Sequence, residues 1–142
     1  MDRLEEALKT YIAIKRTNNR MTDAAKADVT HHGLNINEFA VLEVLYHKGP
    51  QRIQHIKEKI LIASSSTTYI IDKLADKGYI DRVRDQVDRR IYYAQLTRSG
   101  EQVMDEIFPG HEKMILNLFD RMEDQEIYFL KELLKKMNGY GQ

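Results

Sequence analysis

Apolar residues recur at three- and four-residue steps along most of this chain, and only between residues 79 and 97 does that period change. There Tyr79-Ile80-Asp81-Arg82-Val83-Arg84 and Ile91-Tyr92-Tyr93-Ala94-Gln95-Leu96 are rich in β-branched and aromatic residues. The polar stretch Asp85-Gln86-Val87-Asp88-Arg89-Arg90 separates them. Two runs of strand formers around a charged tip read as a two-stranded hairpin. The expected class is mainly α with one small β-hairpin, an α+β chain.

The helical segments can be delimited from local signals. Leu4, Leu8, Tyr11 and Ile14, extended by Met21 and Ala25, form one stripe of a helix over residues 3–30. Its other faces are polar, so the stripe must pack on something, a second chain included. Asn35 followed by Glu38 fits a capping box, with Leu34 and Phe39 at the staple positions. Phe39, Leu42, Leu45 and Tyr46 are the buried row of that helix, which Lys48-Gly49-Pro50 ends. Gln51-Arg52-Ile53 is a short extended piece, and Ile56 and Ile60 mark a brief helix. After a turn at Leu61-Ile62-Ala63, a helix runs from about Ser64 to Lys77, closed by Gly78. Thr67, Ile70, Ile71 and Leu74 are its inner row; Ser65, Thr68, Tyr69 and Asp72 lie opposite. Beyond the hairpin, Thr97 can cap a helix from Arg98. Pro109-Gly110 should kink or break it, at about 3 kcal/mol for an interior proline. A last helix from about Asp124 carries Ile127, Leu130, Leu133, Leu134 and Met137, with Met122 and Ile127 as a staple.

Bulk properties narrow the function classes. A chain of 142 residues, 42% apolar and 31% charged, suits one globular domain. No apolar run approaches the roughly 18 residues that span a bilayer, and no signal-peptide pattern opens the chain, so a cytoplasmic protein without membrane contact is expected. Cysteine is absent, which removes disulfides, thiolate metal sites and thiol redox chemistry. Ser64-Ser65-Ser66 lacks a nucleophile elbow, and there is no phosphate-binding glycine loop, so no enzyme activity and no cofactor are expected. His31 and His32 are adjacent and cannot share a helical face, and His47, His55 and His111 are scattered, so no metal site is expected either.

The order helix, short strand, helix–turn–helix, hairpin is that of a winged helix-turn-helix. A helix entering the major groove meets base edges with its N-terminal residues, and the hairpin tip reaches the backbone or the adjacent minor groove. Charge supports this reading. Lys plus Arg and Asp plus Glu each total 22, yet Arg82 to Arg98 holds five Arg against two Asp, and Asp120 to Glu132 holds five acids against two bases. Net neutrality conceals a basic wing and an acidic distal end. Arginine suits the wing because its flat fork enters narrow grooves and pairs bidentately.

Asp88-Arg89-Arg90, followed by Leu96-Thr97-Arg98-Ser99-Gly100, resembles the D-x-R…L-T-x-x-G signature of the MarR family of regulators. Leu74-Ala75-Asp76-Lys77-Gly78-Tyr79-Ile80-Asp81-Arg82 resembles the segment that precedes it in that family. Leu61-Ile62-Ala63-Ser64-Ser65-Ser66 looks most like the quinone- and hydroquinone-responsive members. The resemblance implies a homodimer on double-stranded DNA with a pseudo-palindromic operator, usually a repressor, released by a small-molecule effector. It implies one domain over residues 1–142, with a DNA-binding lobe at 34–97 and dimerisation helices at 1–33 and 98–142. Arg90 would be the wing-tip arginine in the minor groove, held by Asp88, with Arg84 and Arg89 on the backbone. Ser64, Ser65, Ser66, Thr68 and Tyr69 match the exposed start of the recognition helix, with Lys73 toward phosphate.

Two positions depart from the pattern. Leu61 stands where many such turns have glycine, and Ala63 takes the usual capping slot, which passes the cap to Ser64. Without cysteine, quinones would have to be sensed without thiol adducts. A pocket between the lobe and the dimer helices would draw on Tyr11, His32, Phe39, Tyr46 and Phe108. The alternatives are a winged-helix module that binds protein and a ligand-binding protein without DNA activity.

Overall fold

A computed structural model describes residues 1–60 and 64–139, with backbone alone at 64 and 65. The turn expected at Leu61 to Ala63, the capping role of Ser64 and the Ser64 and Ser65 side chains lie outside the described residues.

Among the described residues six helices and three strands follow in the order α1 (Arg3–Thr30), α2 (Ile36–Lys48), β1 (Gln51–Arg52), α3 (Ile53–Lys59), α4 (Ser64–Asp76), β2 (Ile80–Arg84), β3 (Tyr92–Leu96), α5 (Arg98–Leu118) and α6 (Asp124–Met137). α1 spans the expected residues. Asp2 caps it by accepting from the Leu4 N–H at 2.9 Å. The capping box of α2 is complete: Asn35 Oδ1 accepts from Glu38 N at 2.8 Å, and Glu38 Oε1 accepts from Asn35 N at 3.1 Å. Leu34 and Phe39, its staple pair, are both buried.

The two-stranded hairpin forms in the expected place, β2 against β3, but its sheet has a third strand. β1 joins it as an outer strand, in the order β1-β3-β2, with Gln51 opposite Ala94 and Arg52 opposite Tyr93. Two residues of strand carry too little pattern to announce a partner some forty positions away. A second correction concerns Pro109, because α5 continues through it as one helix. The proline withholds a donor from the Asp105 carbonyl. Met104, Ile107 and His111 are buried on either side of it, so both turns are packed against the core.

The core joins Val29, Leu34, Phe39, Val41, Leu42, Leu45, Ile56, Ile70, Ile71, Leu74, Ile80, Ala94, Met104 and Ile107. It lies under α2, α4, the sheet and the first half of α5, reached by only the end of α1. α6 has no buried residue. One buried charge is paired: the Glu38 carboxylate accepts from Lys77 Nζ at 2.7 Å, which ties the end of α4 to the start of α2.

Thr97 and Gly100 join the hairpin to α5. The Thr97 N–H donates to the Tyr79 carbonyl at 3.0 Å, its hydroxyl donates to the Gly78 carbonyl at 2.6 Å, and the same oxygen accepts from Gly100 N at 3.1 Å. A Cβ on Gly100 would stand 2.1 Å from the Tyr79 carbonyl oxygen, so only glycine fits. The L-T-x-x-G segment is therefore a structural rivet.

Candidate nucleic-acid interface

α4 separates its residues as its periodicity requires. Thr67, Ile70, Ile71 and Leu74 are buried; Ser66, Thr68, Tyr69, Asp72 and Lys73 are exposed. Its end is a Schellman turn: Gly78, at φ +80°, donates to the Ala75 carbonyl, and Tyr79 donates to that of Leu74, both at 3.0 Å. The Lys73 ammonium stands 5.6 Å from the centroid of the Tyr69 ring, so cation and ring share one exposed face. Asp72, on the same helix, forms an ion pair with Arg82 of β2, which fastens helix to wing.

The tip of the wing is built by two aspartates. Asp85 Oδ2 accepts from the N–H groups of Val87 and Asp88 at 3.1 and 2.8 Å and shapes the turn. Asp88 Oδ1 accepts from Arg90 N and Nε at 3.1 and 3.0 Å, and Oδ2 accepts from Nη2 at 3.1 Å. This fork holds a side chain that is itself 90% exposed. The Arg90 hydrogen bonds pull the Asp88 carboxyl below the usual carboxylate range, helped by the charge of Arg52; the pairing raises the Arg90 guanidinium in turn. Arg84 faces Tyr92 across the strands, and Arg89 is exposed.

Between α4 and the wing lies a cleft of about 560 Å³, lined among others by Arg52, Thr68, Arg82, Arg90, Ile91 and Tyr92. Arg52, Arg82 and Tyr92 were not among the sequence-derived site residues. Arg52 sits on the short strand whose pairing the sequence did not announce. Arg82 counts in the sequence only toward the strand, the basic wing and the family-like segment, and Tyr92 only as a strand former; neither role announces a cleft.

Of the residues expected to line an effector pocket, three come together. The Phe108 ring lies 5.5 Å from Tyr46, and both Phe39 and Phe108 meet His111, at 4.7 and 5.8 Å. His47 joins at 4.6 Å from Phe108. The Tyr46 hydroxyl donates to Asp105 Oδ1 at 2.6 Å, and that bond raises the Tyr46 pKa above the ordinary tyrosine value. His111 is buried, with Nδ1 3.7 Å from Asp28 Oδ2 and Nε2 3.4 Å from Glu43 Oε2. Tyr11 and His32 lie apart from this group. Tyr11 is exposed beneath the Lys15 ammonium, and His32 packs edge-on against His31.

Among the described residues no group of three His, Asp or Glu side chains is arranged to hold a metal ion. No helix among them is long and apolar enough to cross a membrane.

A family model described as MarR family matches residues 34–92. The HTH-type transcriptional regulator MhqR of Bacillus subtilis is 40% identical over 133 residues, covering 94% of this chain and 92% of that one. Two solved structures share the fold. A cysteine variant of Escherichia coli MarR in complex with operator DNA superposes with a TM-score of 0.83 at 19% identity, over 96% of this chain and 99% of that one. Bordetella bronchiseptica BpsR, described with regulation of its DNA binding by 6-hydroxynicotinic acid, superposes at 0.81 and 21% identity, over 92% and 98%.

Proposed function

This chain belongs to the MarR family, and from that premise we propose that it is a homodimeric repressor, released from a pseudo-palindromic DNA operator by a small phenolic or quinone-like effector. The observation that carries the reading is the wing tip, where Asp88 holds an exposed Arg90 beside the exposed polar face of α4. A flat guanidinium fixed in this way enters a minor groove without first giving up its side-chain entropy. Ser66, Thr68 and Tyr69 reach base edges in the neighbouring major groove, with Ser64 and Ser65 assigned to the same helix start. Lys73, Arg84 and Arg89 contact phosphates, so binding weakens steeply with salt.

Apolar side chains left in solvent support the homodimer. In the single chain Leu4, Leu8, Tyr11, Leu116, Phe129, Leu133 and Met137 are each more than half exposed, and all lie on α1, α5 or α6. Pairing these helices covers them and sets two α4 helices about one turn of DNA apart. The Phe39, Tyr46 and Phe108 group, where α2 meets α5, supports an effector site beside the hinge between lobe and dimer helices; Tyr11 and His32 complete it only if the pairing brings them there. A ligand releases DNA by binding more tightly to the arrangement whose α4 spacing does not fit the grooves. The MarR complex with operator DNA and the ligand-regulated BpsR support both halves by kinship of fold.

Selection of bound duplexes from a random pool, repeated with phenols and quinones present, tests the proposal. Enrichment of an inverted repeat, lost when a phenol or quinone is added, is the expected outcome. A pool that enriches no sequence overturns the DNA reading. Enrichment that no phenol or quinone changes overturns the effector.

A further inference from the structure

The arginines of the wing are not equivalent. Arg82 is engaged by Asp72 and Arg90 by Asp88, so each is paired with a carboxylate of its own chain. Arg84 is held differently. Its Nε donates to the Tyr92 hydroxyl oxygen at 2.9 Å, Nη2 donates to the same oxygen, and the guanidinium carbon lies 5.0 Å from the centre of the Tyr92 ring. The two residues face each other in the ladder, Arg84 on β2 and Tyr92 on β3. A neutral hydroxyl orders the side chain without cancelling its charge. Two N–H groups converge on one oxygen, which leaves other guanidinium donors unused and the phenolic proton free to be given elsewhere.

We propose that Tyr92 is a positioning residue for DNA binding: it presents Arg84 as a preorganised phosphate contact. The proposal rests on the DNA-binding reading above. The wing then divides its labour by partner chemistry. Carboxylate-held Arg90 supplies shape to a groove, Asp72-held Arg82 supplies the angle between helix and wing, and Tyr92-held Arg84 supplies net positive charge. A lone arginine would lose rotamer freedom on meeting a phosphate, whereas this one has already lost it in the free protein.

A double-mutant cycle tests this. Wild type, Tyr92→Phe, Arg84→Ala and the double variant are titrated with a fluorescent duplex of random sequence across a range of salt concentrations. Tyr92→Phe keeps the ring and removes the acceptor. It is expected to weaken binding roughly three- to tenfold, with the salt slope unchanged. Arg84→Ala should lower the slope by about one and weaken binding further. The double variant should bind no worse than Arg84→Ala alone, since Tyr92 acts through Arg84. Losses that simply add overturn the positioning role, as does a Tyr92→Phe variant that binds like wild type. An equal loss of melting temperature and affinity in Tyr92→Phe also overturns it, by assigning the residue to folding. A wild-type protein that binds no duplex at any salt instead overturns the DNA-binding reading itself, an outcome separate from the other three.

Discussion

The stretch from Leu34 to Ile107 and the helices at the two ends of the chain solve the problem of apolar surface in opposite ways. In the first, α2, α4, the sheet and the start of α5 each give an apolar row to one shared interior, and Leu42, Ile56, Ile71 and Leu74 are fully enclosed. In the second, α1 buries only Val29 of its 28 residues, and α6 buries none. The stripes of α1 and α6 have the same helical period as those of α2 and α4, so amphipathicity does not separate the two regions. What separates them is whether the complementary surface lies within the same chain. The lobe is closed by itself, and the ends leave their apolar stripes uncovered in the single chain, as the proposed homodimer requires.

The sharpest test of this contrast is in the lobe. Gly100→Ala forces a Cβ against the Tyr79 carbonyl and is expected to cost about 3 kcal/mol or more in denaturant unfolding, independent of protein concentration. Phe129→Asp with Leu133→Asp should do the reverse. Sedimentation should show the protomer mass, while circular dichroism retains the helices of the lobe; an unchanged mass would place the dimer elsewhere. Between these lies the wing. Arg90→Ala is expected to reduce operator affinity roughly ten- to hundredfold with mass and melting unchanged.

Smaller effects come from protonation. Because Arg90 depresses the Asp88 carboxyl, the wing-tip clamp is complete above the ordinary carboxylate pKa and is lost only as pH falls through the lower, folded value. Following the Arg90 Nε signal by NMR should therefore show no transition at the pH where free aspartates titrate. Smallest is Tyr46. Its phenol, held by Asp105, should ionise above the usual tyrosine range in a spectrophotometric titration, and Asp105→Asn should bring it back down. The chain has eight tyrosines, so the difference between the wild-type and Asp105→Asn curves isolates the signal of Tyr46.

The elements that could be read before the fold was known are those whose causes are local. The Asn35–Glu38 box, the Thr97 cap, the inner row of α4 and the charged hairpin tip each depend on residues within one or two turns of one another. The Asp88–Arg90 pair, which the family resemblance implied, is local too, its partners two positions apart. The failures are all non-local. β1 needed β3, and α5 runs on through Pro109 with Met104, Ile107 and His111 packed against the core. Arg82 took its partner from α4, and Arg84 took its own from the opposite strand. The aromatic cluster was illegible for the same reason. Phe39, Tyr46 and Phe108 meet because α2 crosses α5, which no spacing in the chain declares.

Periodicity, caps and charge runs by themselves determined which segments are helix or strand, and that the wing as a whole is basic. Those properties follow from backbone geometry and nearest neighbours, which travel with the chain. Only the tertiary structure decided which arginine is tied to another element by a carboxylate, which is held by a tyrosine hydroxyl, and which apolar stripes stay uncovered. Those depend on what comes to lie beside a residue in space, and that is set by the closing of one core around many distant side chains.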